Sequence, residues 1–322
     1  MDLREVLASV ADDLERVDSF MRTSLESPVT LIQQLSHHII DSGGKRLRPT
    51  VVLLAARACG YTGEDHVKLA ASTEMVHTAT LLHDDVIDES RMRRGKKTAN
   101  EIWGNEASVL VGDYLYSRAT QLISGVSRLD VVQVLSDAAN DIAQGEIIQL
   151  SNKYNADLSE KDYFATIRSK TSRLFQASAE IGTLIAEAAP EVTHQVSQYG
   201  LHLGNAFQLI DDALDYNGST DEIGKNVGDD LSDGKATIPL IHAMRHGSKE
   251  QAELIRGAIK KGDVSRLQEV IAAIESTGAI EYTSRLARDE VHKAVSHLSV
   301  LEQSKYRDAM EQLALFTIER RY

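Results

Sequence analysis

Leu81 to Gly95 reads LLHDDVIDESRMRRG. Three aspartates, Asp84, Asp85 and Asp88, stand in an apolar run, and Arg93 and Arg94 follow within a few residues. An ionised carboxylate is costly to bury without a partner, so three of them in a hydrophobic segment need compensating charge. At about 100° per residue, Asp84 and Asp88 lie roughly 40° apart on a helix and Asp85 about 60° beyond Asp88. The three therefore share one helical face. Oxygen ligands without cysteine or a histidine cluster suit Mg2+ or Mn2+. One such triplet is also what a solvated helix face looks like.

The segment belongs to a chain with helical spacing nearly throughout. Residues 64 to 90, 107 to 124, 130 to 151, 160 to 188 and 191 to 216 read as long helices, several apolar on more than one face and therefore buried. Residues 2 to 20 read as an amphipathic surface helix. Four prolines and 5% aromatics favour helices over a sandwich or barrel. No strand pattern and no dividing linker is evident, which predicts one all-α domain over residues 1 to 322, a single large bundle of mostly antiparallel helices. DSGGKRLRPT, residues 41 to 50, interrupts the helices with paired glycines and a proline that opens the next one. NGSTDEIGKNVGDDLSDGKAT, residues 217 to 237, is a long polar loop, the kind that is functional or disordered in compact domains.

Charge and cysteine usage narrow the function. Forty-eight acidic residues against 35 basic ones argue against a nucleic-acid partner, and a polyanionic substrate would need a local exception. The single Cys59 excludes an internal disulfide and a cysteine zinc site and points to a reducing compartment. The start MDLREVLASVADDLERV has no signal-peptide core, and no apolar run approaches the length of a membrane span, so a soluble cytoplasmic protein is expected.

A second copy of the triplet decides between the solvated face and a metal site. FQLIDDALDYNG, residues 207 to 218, repeats the spacing with Asp211, Asp212 and Asp215 inside another apolar helix. Mg2+ seldom binds in all-protein cages and usually bridges a carboxylate or two to phosphate oxygens, so the implied substrate carries a phosphate or diphosphate. Lys45, Arg46 and Arg48 beside the paired glycines, and Arg93 and Arg94 beyond the first triplet, provide two basic groups for two anionic sites. GDDLSDGKAT, residues 228 to 237, has the wrong spacing and charge for a P-loop.

GGKRLRP, LLHDDVID followed by RRG, GDYLYSRA, SKTSRLF, FQLIDDALDY and GKATIPL, in this order, resemble the trans-polyprenyl diphosphate synthases, above all the long-chain bacterial members that make octaprenyl or related diphosphates for quinone side chains. The resemblance implies the isoprenoid synthase fold around a central cavity. It implies that Asp84, Asp88 and Asp211 are the inner ligands of several Mg2+ ions, with Mn2+ as a substitute, and that Asp85, Asp212 and Asp215 support them. Lys45, Arg48, His77 and Arg94 match positions that hold isopentenyl diphosphate. Arg93, Lys170, Thr171, Gln208, Lys225 and Lys235 match those that hold the allylic diphosphate, and Lys170 joins the aspartates in catalysis. The small Ala79 and Thr80 stand where shorter-chain relatives carry bulky aromatics, which implies a long product. A tunnel floor including Leu135, Ala139 and Ile142 is a further expectation, while GEIIQL, residues 145 to 150, reads as wall packing and His83 has no physical role from sequence. The family implies a homodimer, and a lipid product implies transient membrane contact. A shorter-chain synthase, a terpene cyclase, a non-catalytic subunit and a structural metal-binding bundle are the other readings; the second DDxxD and GGKRLRP speak against the cyclase, the intact acidic pair against the non-catalytic subunit, and GGKRLRP with Arg93 and Arg94 against the structural bundle.

Overall fold

The computed structural model describes residues 3–217 and 227–319. Helices α1 (Leu3–Ala8), α2 (Ala11–Ser24), α3 (Thr30–Asp41), α4 (Leu47–Ala58) and α5 (Asp65–Ile87) lead to a short hairpin of β1 (Met92–Arg93) and β2 (Lys96–Lys97). Then come α6 (Ala99–Trp103), α7 (Asn105–Ser124), α8 (Leu129–Ser151), α9 (Glu160–Ile167), a π-helical turn (Arg168–Ser172), α10 (Arg173–Ile185) and α11 (Pro190–Asn217). The remainder comprises α12 (Asp229–Ser232), α13 (Ile238–His246), α14 (Lys249–Lys261), α15 (Leu267–Ser276), α16 (Ala279–His297) and α17 (Lys305–Glu319).

The expected all-α architecture is present, with four local differences. Residues 2 to 20 are two helices, because Val10 at φ −131° leaves the helical region before the chain re-enters it at Ala11. The helix carrying the first triplet ends at Ile87, and Asp88 caps it with its N–H donating to the Asp84 carbonyl at 2.8 Å. Residues 160 to 188 are interrupted by the π turn. A strand pair forms after all, Met92 opposite Lys97 and Arg93 opposite Lys96. Its two loop residues, Arg94 at φ +52° and Gly95 at φ +73°, are both left-handed, as a two-residue hairpin turn matching strand twist requires.

The chain forms two compact units, the first made of residues 1–139, 174–200 and 295–313, the second of 140–173, 201–294 and 314–322. In the first, α5 packs on α2, α4 and α7. Both α4 and α5 are apolar around most of their circumference and are buried on nearly every side, from Pro49 to Ala56 and from Val67 to Val76. A carboxylate carried by α5 therefore has little choice of surroundings.

In the second unit, Tyr163, Ile167, Leu209, Ile210, Leu231, Ile238, Leu240 and Ile255 share one apolar cluster. A capping box at Ser248 and Gln251 opens α14, and the left-handed Gly262 closes it. Below the π turn lies a buried polar relay. Ser172 Oγ donates to Asn205 Oδ1 at 2.7 Å, and Asn205 Nδ2 donates to Glu290 Oε2 at 2.6 Å. Burial alone would raise the Glu290 pKa, but hydrogen bonds from His202, Lys293 and Asn205 bring it down to about 2. Because the folded state holds this carboxyl below its unfolded value, its stabilising contribution is complete above about pH 4.5 and is lost as pH falls towards 2. Chemical unfolding across that range should show stability dropping in the native protein. The drop should flatten in Glu290→Gln, which starts less stable at neutral pH.

Candidate active site

Asp85 lies buried in the first unit, while Asp84 and Asp88 are half-exposed. Asp85 Oδ1 accepts from Arg93 Nε at 2.9 Å and Nη2 at 2.7 Å. The hairpin delivers Arg93 to this contact, and its turn sends the next residue elsewhere. Arg94 Nη1 donates to the carbonyl of Gly43, 51 residues earlier. A Cβ on Gly44 would stand 2.7 Å from that guanidinium, the far end of a flexible side chain that has room to give. The two basic groups of the sequence thus meet.

The three cations of GGKRLRP have different fates. Arg46, in left-handed backbone at φ +48°, turns to Glu74 at 2.9 Å and Asp18 at 3.1 Å and serves as an internal ion pair. Lys45 is half-buried. Arg48 stacks 4.4 Å over the Phe175 ring and donates from Nη1 to His77 Nε2 at 3.1 Å. Burial, then the Arg48 and Arg94 charges, keep the His77 pKa well below the ordinary histidine range. His77 is consequently a neutral acceptor that orients Arg48. Ala79 is buried and Thr80 half-buried, with Thr80 Oγ1 donating to the His77 carbonyl. Leu135 is buried on α8. Gly112 of GDYLYSRA leaves room for the His83 ring, where a Cβ would stand 2.4 Å from Nε2.

In the second unit neutral side chains hold Asp212. Asp211 is half-exposed and Asp212 and Asp215 are buried. Asp212 Oδ1 accepts from Gln208 Nε2 at 2.7 Å, and Oδ2 accepts from the Tyr163 hydroxyl at 2.5 Å. Gln208 Oε1 in turn accepts from Thr171 Oγ1 at 2.9 Å. Burial first, and then the Asp230 carboxylate, push Asp212 well above the usual carboxylate range. Asp215 Oδ2 accepts from the Asp230 N–H at 3.2 Å. Lys235 Nζ donates to Asp233 Oδ2 at 2.8 Å, while Lys225 lies outside the described residues.

Lys170 and Thr171 are presented by the π turn, a rare geometry that recurs at functional sites. Lys170 Nζ donates to Glu146 Oε2 and Gln149 Oε1, both at 2.7 Å. Glu146 and Gln149 belong to GEIIQL, so that segment holds the Lys170 ammonium and is not simply wall packing. Two glycines let the turn approach: a Cβ on Gly145 would lie 2.6 Å from the Lys170 nitrogen, and one on Gly204 would lie 2.5 Å from the Ser172 Cα. Tyr163, Glu146, Gln149 and Asn205 were not recognisable as site residues from sequence, since each is distant along the chain from the group it touches. Only the likeness of GEIIQL to a family segment gave any signal. Among the described residues, no group of three or more histidine, cysteine or acidic side chains is arranged to hold a metal ion by itself.

The sequence pattern of the polyprenyl synthetase family matches residues 29–275. Octaprenyl diphosphate synthase of Escherichia coli (strain K12) is 48% identical over 321 residues, 99% of either chain. The all-trans-nonaprenyl-diphosphate synthase (geranyl-diphosphate specific) of Rhodobacter capsulatus is 43% identical over 98% of either chain. The polyprenyl synthase of Caulobacter crescentus CB15, solved in complex with calcium and isoprenyl diphosphate, superposes with a TM-score of 0.97 at 39% identity, covering 100% of this chain and 98% of that one. The chain belongs to the polyprenyl synthetase family and is a prenyltransferase with the isoprenoid synthase fold.

The close approach at Gly145 makes a test. Gly145→Ala should destabilise by about 1–3 kcal/mol through overpacking. Gly257→Ala on α14, where a Cβ meets nothing within 4 Å, should stabilise by a few tenths to about 1 kcal/mol. Urea unfolding of both variants reads the difference.

Proposed function

We propose that the chain is a long-chain trans-polyprenyl diphosphate synthase that condenses isopentenyl diphosphate repeatedly onto an allylic diphosphate, farnesyl diphosphate for preference, to give octaprenyl diphosphate or a close neighbour for quinone side chains. The observation that carries this reading is the pairing inside each unit: an acidic triplet divided into half-exposed and buried carboxylates, with anion-gripping side chains attached to the buried one. The full-length relatives named as octaprenyl and nonaprenyl synthases support the long product.

The donor set suits magnesium. Asp84, Asp88 and Asp211 offer half-exposed oxygens, and water and diphosphate oxygens would complete the coordination. When bound, Mg2+ supplies positive charge where the departing diphosphate becomes more negative. The protein's own share is preorganised cationic and hydrogen-bonding side chains. Arg93, Lys170, Thr171, Gln208, Lys225 and Lys235 grip the allylic diphosphate, whose carbon–oxygen bond breaks with the electron pair leaving on oxygen. Lys45, Arg48 and Arg94 hold isopentenyl diphosphate, with His77 fixing Arg48, so that its double bond adds to the allylic cation. A proton then leaves for the released diphosphate, and no protein nucleophile takes part. Ala79 and Thr80 leave the growing chain room, and Leu135 belongs to the floor.

We read both units as parts of one synthase domain, because the family match runs through residues of each. The active form is a homodimer in this proposal, supported by the exposed apolar Val109, Leu110 and Tyr116 on α7. No helix among the described residues is long and apolar enough to cross a membrane, and transient membrane contact would serve product release.

Purified protein incubated with Mg2+, farnesyl diphosphate and labelled isopentenyl diphosphate should yield a discrete long-chain product. Absence of incorporation by folded protein refutes the reading. In the same assay Ala79→Phe should shorten the product by several isoprene units. His77→Gln keeps an acceptor for Arg48 and should leave the KM for isopentenyl diphosphate within a few-fold, whereas His77→Leu should raise it about tenfold, the worth of one charge-assisted hydrogen bond.

A further inference from the structure

Asp212 is held at both of its carboxylate oxygens. Each of its oxygens accepts from a different neutral donor, Tyr163 on one side and Gln208 on the other. Two fixed donors on opposite oxygens set the plane of a carboxylate and prevent it from turning about its own bond. Gln208 lies four residues before Asp212 on the same helix, so its contact follows from helical spacing. Tyr163 comes from a different element and adds the constraint that α11 cannot supply itself. Its ring is fixed in turn: it is buried in the apolar cluster with Leu209, Ile210 and Ile238, and it meets Phe164 edge-on at 5.6 Å. The other end of this chain of contacts is Thr171, which donates to Gln208.

We propose that Tyr163 is a positioning residue for the second acidic triplet, its hydroxyl locking Asp212 in its buried orientation so that Asp211 alone of the adjacent pair presents its carboxylate to a divalent cation and the allylic diphosphate. The inference rests on the reading of Asp211 as a metal ligand. With the hydroxyl removed, Asp212 has one free oxygen and can rotate, and two neighbouring carboxylates then compete for a geometry built for one. Partners that orient a metal's ligands from behind commonly change metal affinity by about 10–100-fold when removed. The effect should reach Gln208 and Thr171 through the shared hydrogen bonds, and hence the allylic substrate. The isopentenyl diphosphate residues Lys45, Arg48 and Arg94 belong to the other compact unit.

Tyr163→Phe tests this with the loss of one oxygen. The Mg2+ concentration for half-maximal rate and the KM for the allylic diphosphate should each rise about tenfold, with the KM for isopentenyl diphosphate moving less than twofold. Tyr199→Phe is the control, since it removes another buried hydroxyl, one that donates to the Met310 carbonyl at 2.8 Å. It should move none of the three constants. Calorimetric titration of Mn2+ in the presence of inorganic diphosphate gives a readout independent of turnover, and Tyr163→Phe should weaken it by a similar factor. In an Asp212→Ala background the same change should weaken binding no further.

A variant that folds, binds Mn2+ as tightly as the parent and shifts both substrate constants equally would overturn the inference, as would full additivity with Asp212→Ala. A parent protein that binds Mn2+ with diphosphate but never elongates would refute the proposed function and leave the Tyr163 comparison valid. A parent that binds no Mn2+ would refute both. Should Tyr163→Phe fail to fold, Thr171→Val breaks the relay at its far end, and an unchanged Mn2+ affinity there would count equally against it.

Discussion

A carboxylate placed in a helix that is apolar on most sides has to be stabilised locally, because leaving it ionised without partners in such surroundings costs several kcal/mol. Much of what surrounds the two triplets follows from that requirement. Asp85, on the thoroughly buried α5, is held by the full charge of Arg93. Asp212 is held by a phenol and an amide, and Asp215 by a backbone N–H. The distinction has a chemical consequence. A charged partner cancels the field of its carboxylate, whereas neutral donors fix its position and leave the surrounding acidic potential in place to attract a cation. Asp85 and Asp212, equivalent in the sequence repeat, are therefore held by different chemistry.

Holding side chains this closely needs backbone to come closer than most residues permit. Gly145 admits the backbone at Lys170, and Gly204 admits Ser172. In each case the glycine and the functional residue lie far apart in sequence. Arg46 and Arg94, both in left-handed backbone, flank the same contact in the first unit. Such conformations cost about 1 kcal/mol or more apiece and persist only where the surroundings enforce them. The buried relay from Ser172 through Asn205 to Glu290 provides a comparable restraint beneath the π turn.

The fold class was legible because helical periodicity sums over many residues, and the triplets because a repeated charge pattern inside apolar runs is hard to produce by packing alone. The features that escaped are those a long window averages away. A π turn adds one residue to one turn, so residues 160 to 188 keep an apolar face on both sides of the break and read as one helix. The hairpin is only two residues per strand, too short for alternation to register, although Arg94-Gly95 does mark its turn. The charge pattern of GGKRLRP gives three equivalent cations; the family resemblance sets Arg46 apart, and the structure gives the reason, since Arg46 is consumed by Glu74 while Arg48 is oriented by a neutral histidine. Tyr163 carries no signature at all, since a tyrosine in an apolar cluster looks like core until its hydroxyl is seen to reach an aspartate.

The π turn sets regularity against competence in this segment. Deleting a single residue there would permit an unbroken α-helix from α9 into α10, with better internal hydrogen bonding. The shortened chain would keep its apolar face only by turning Lys170 and Thr171 away from Glu146 and Gln208. The length of this stretch, and not only its residue types, therefore decides where Lys170 and Thr171 are presented.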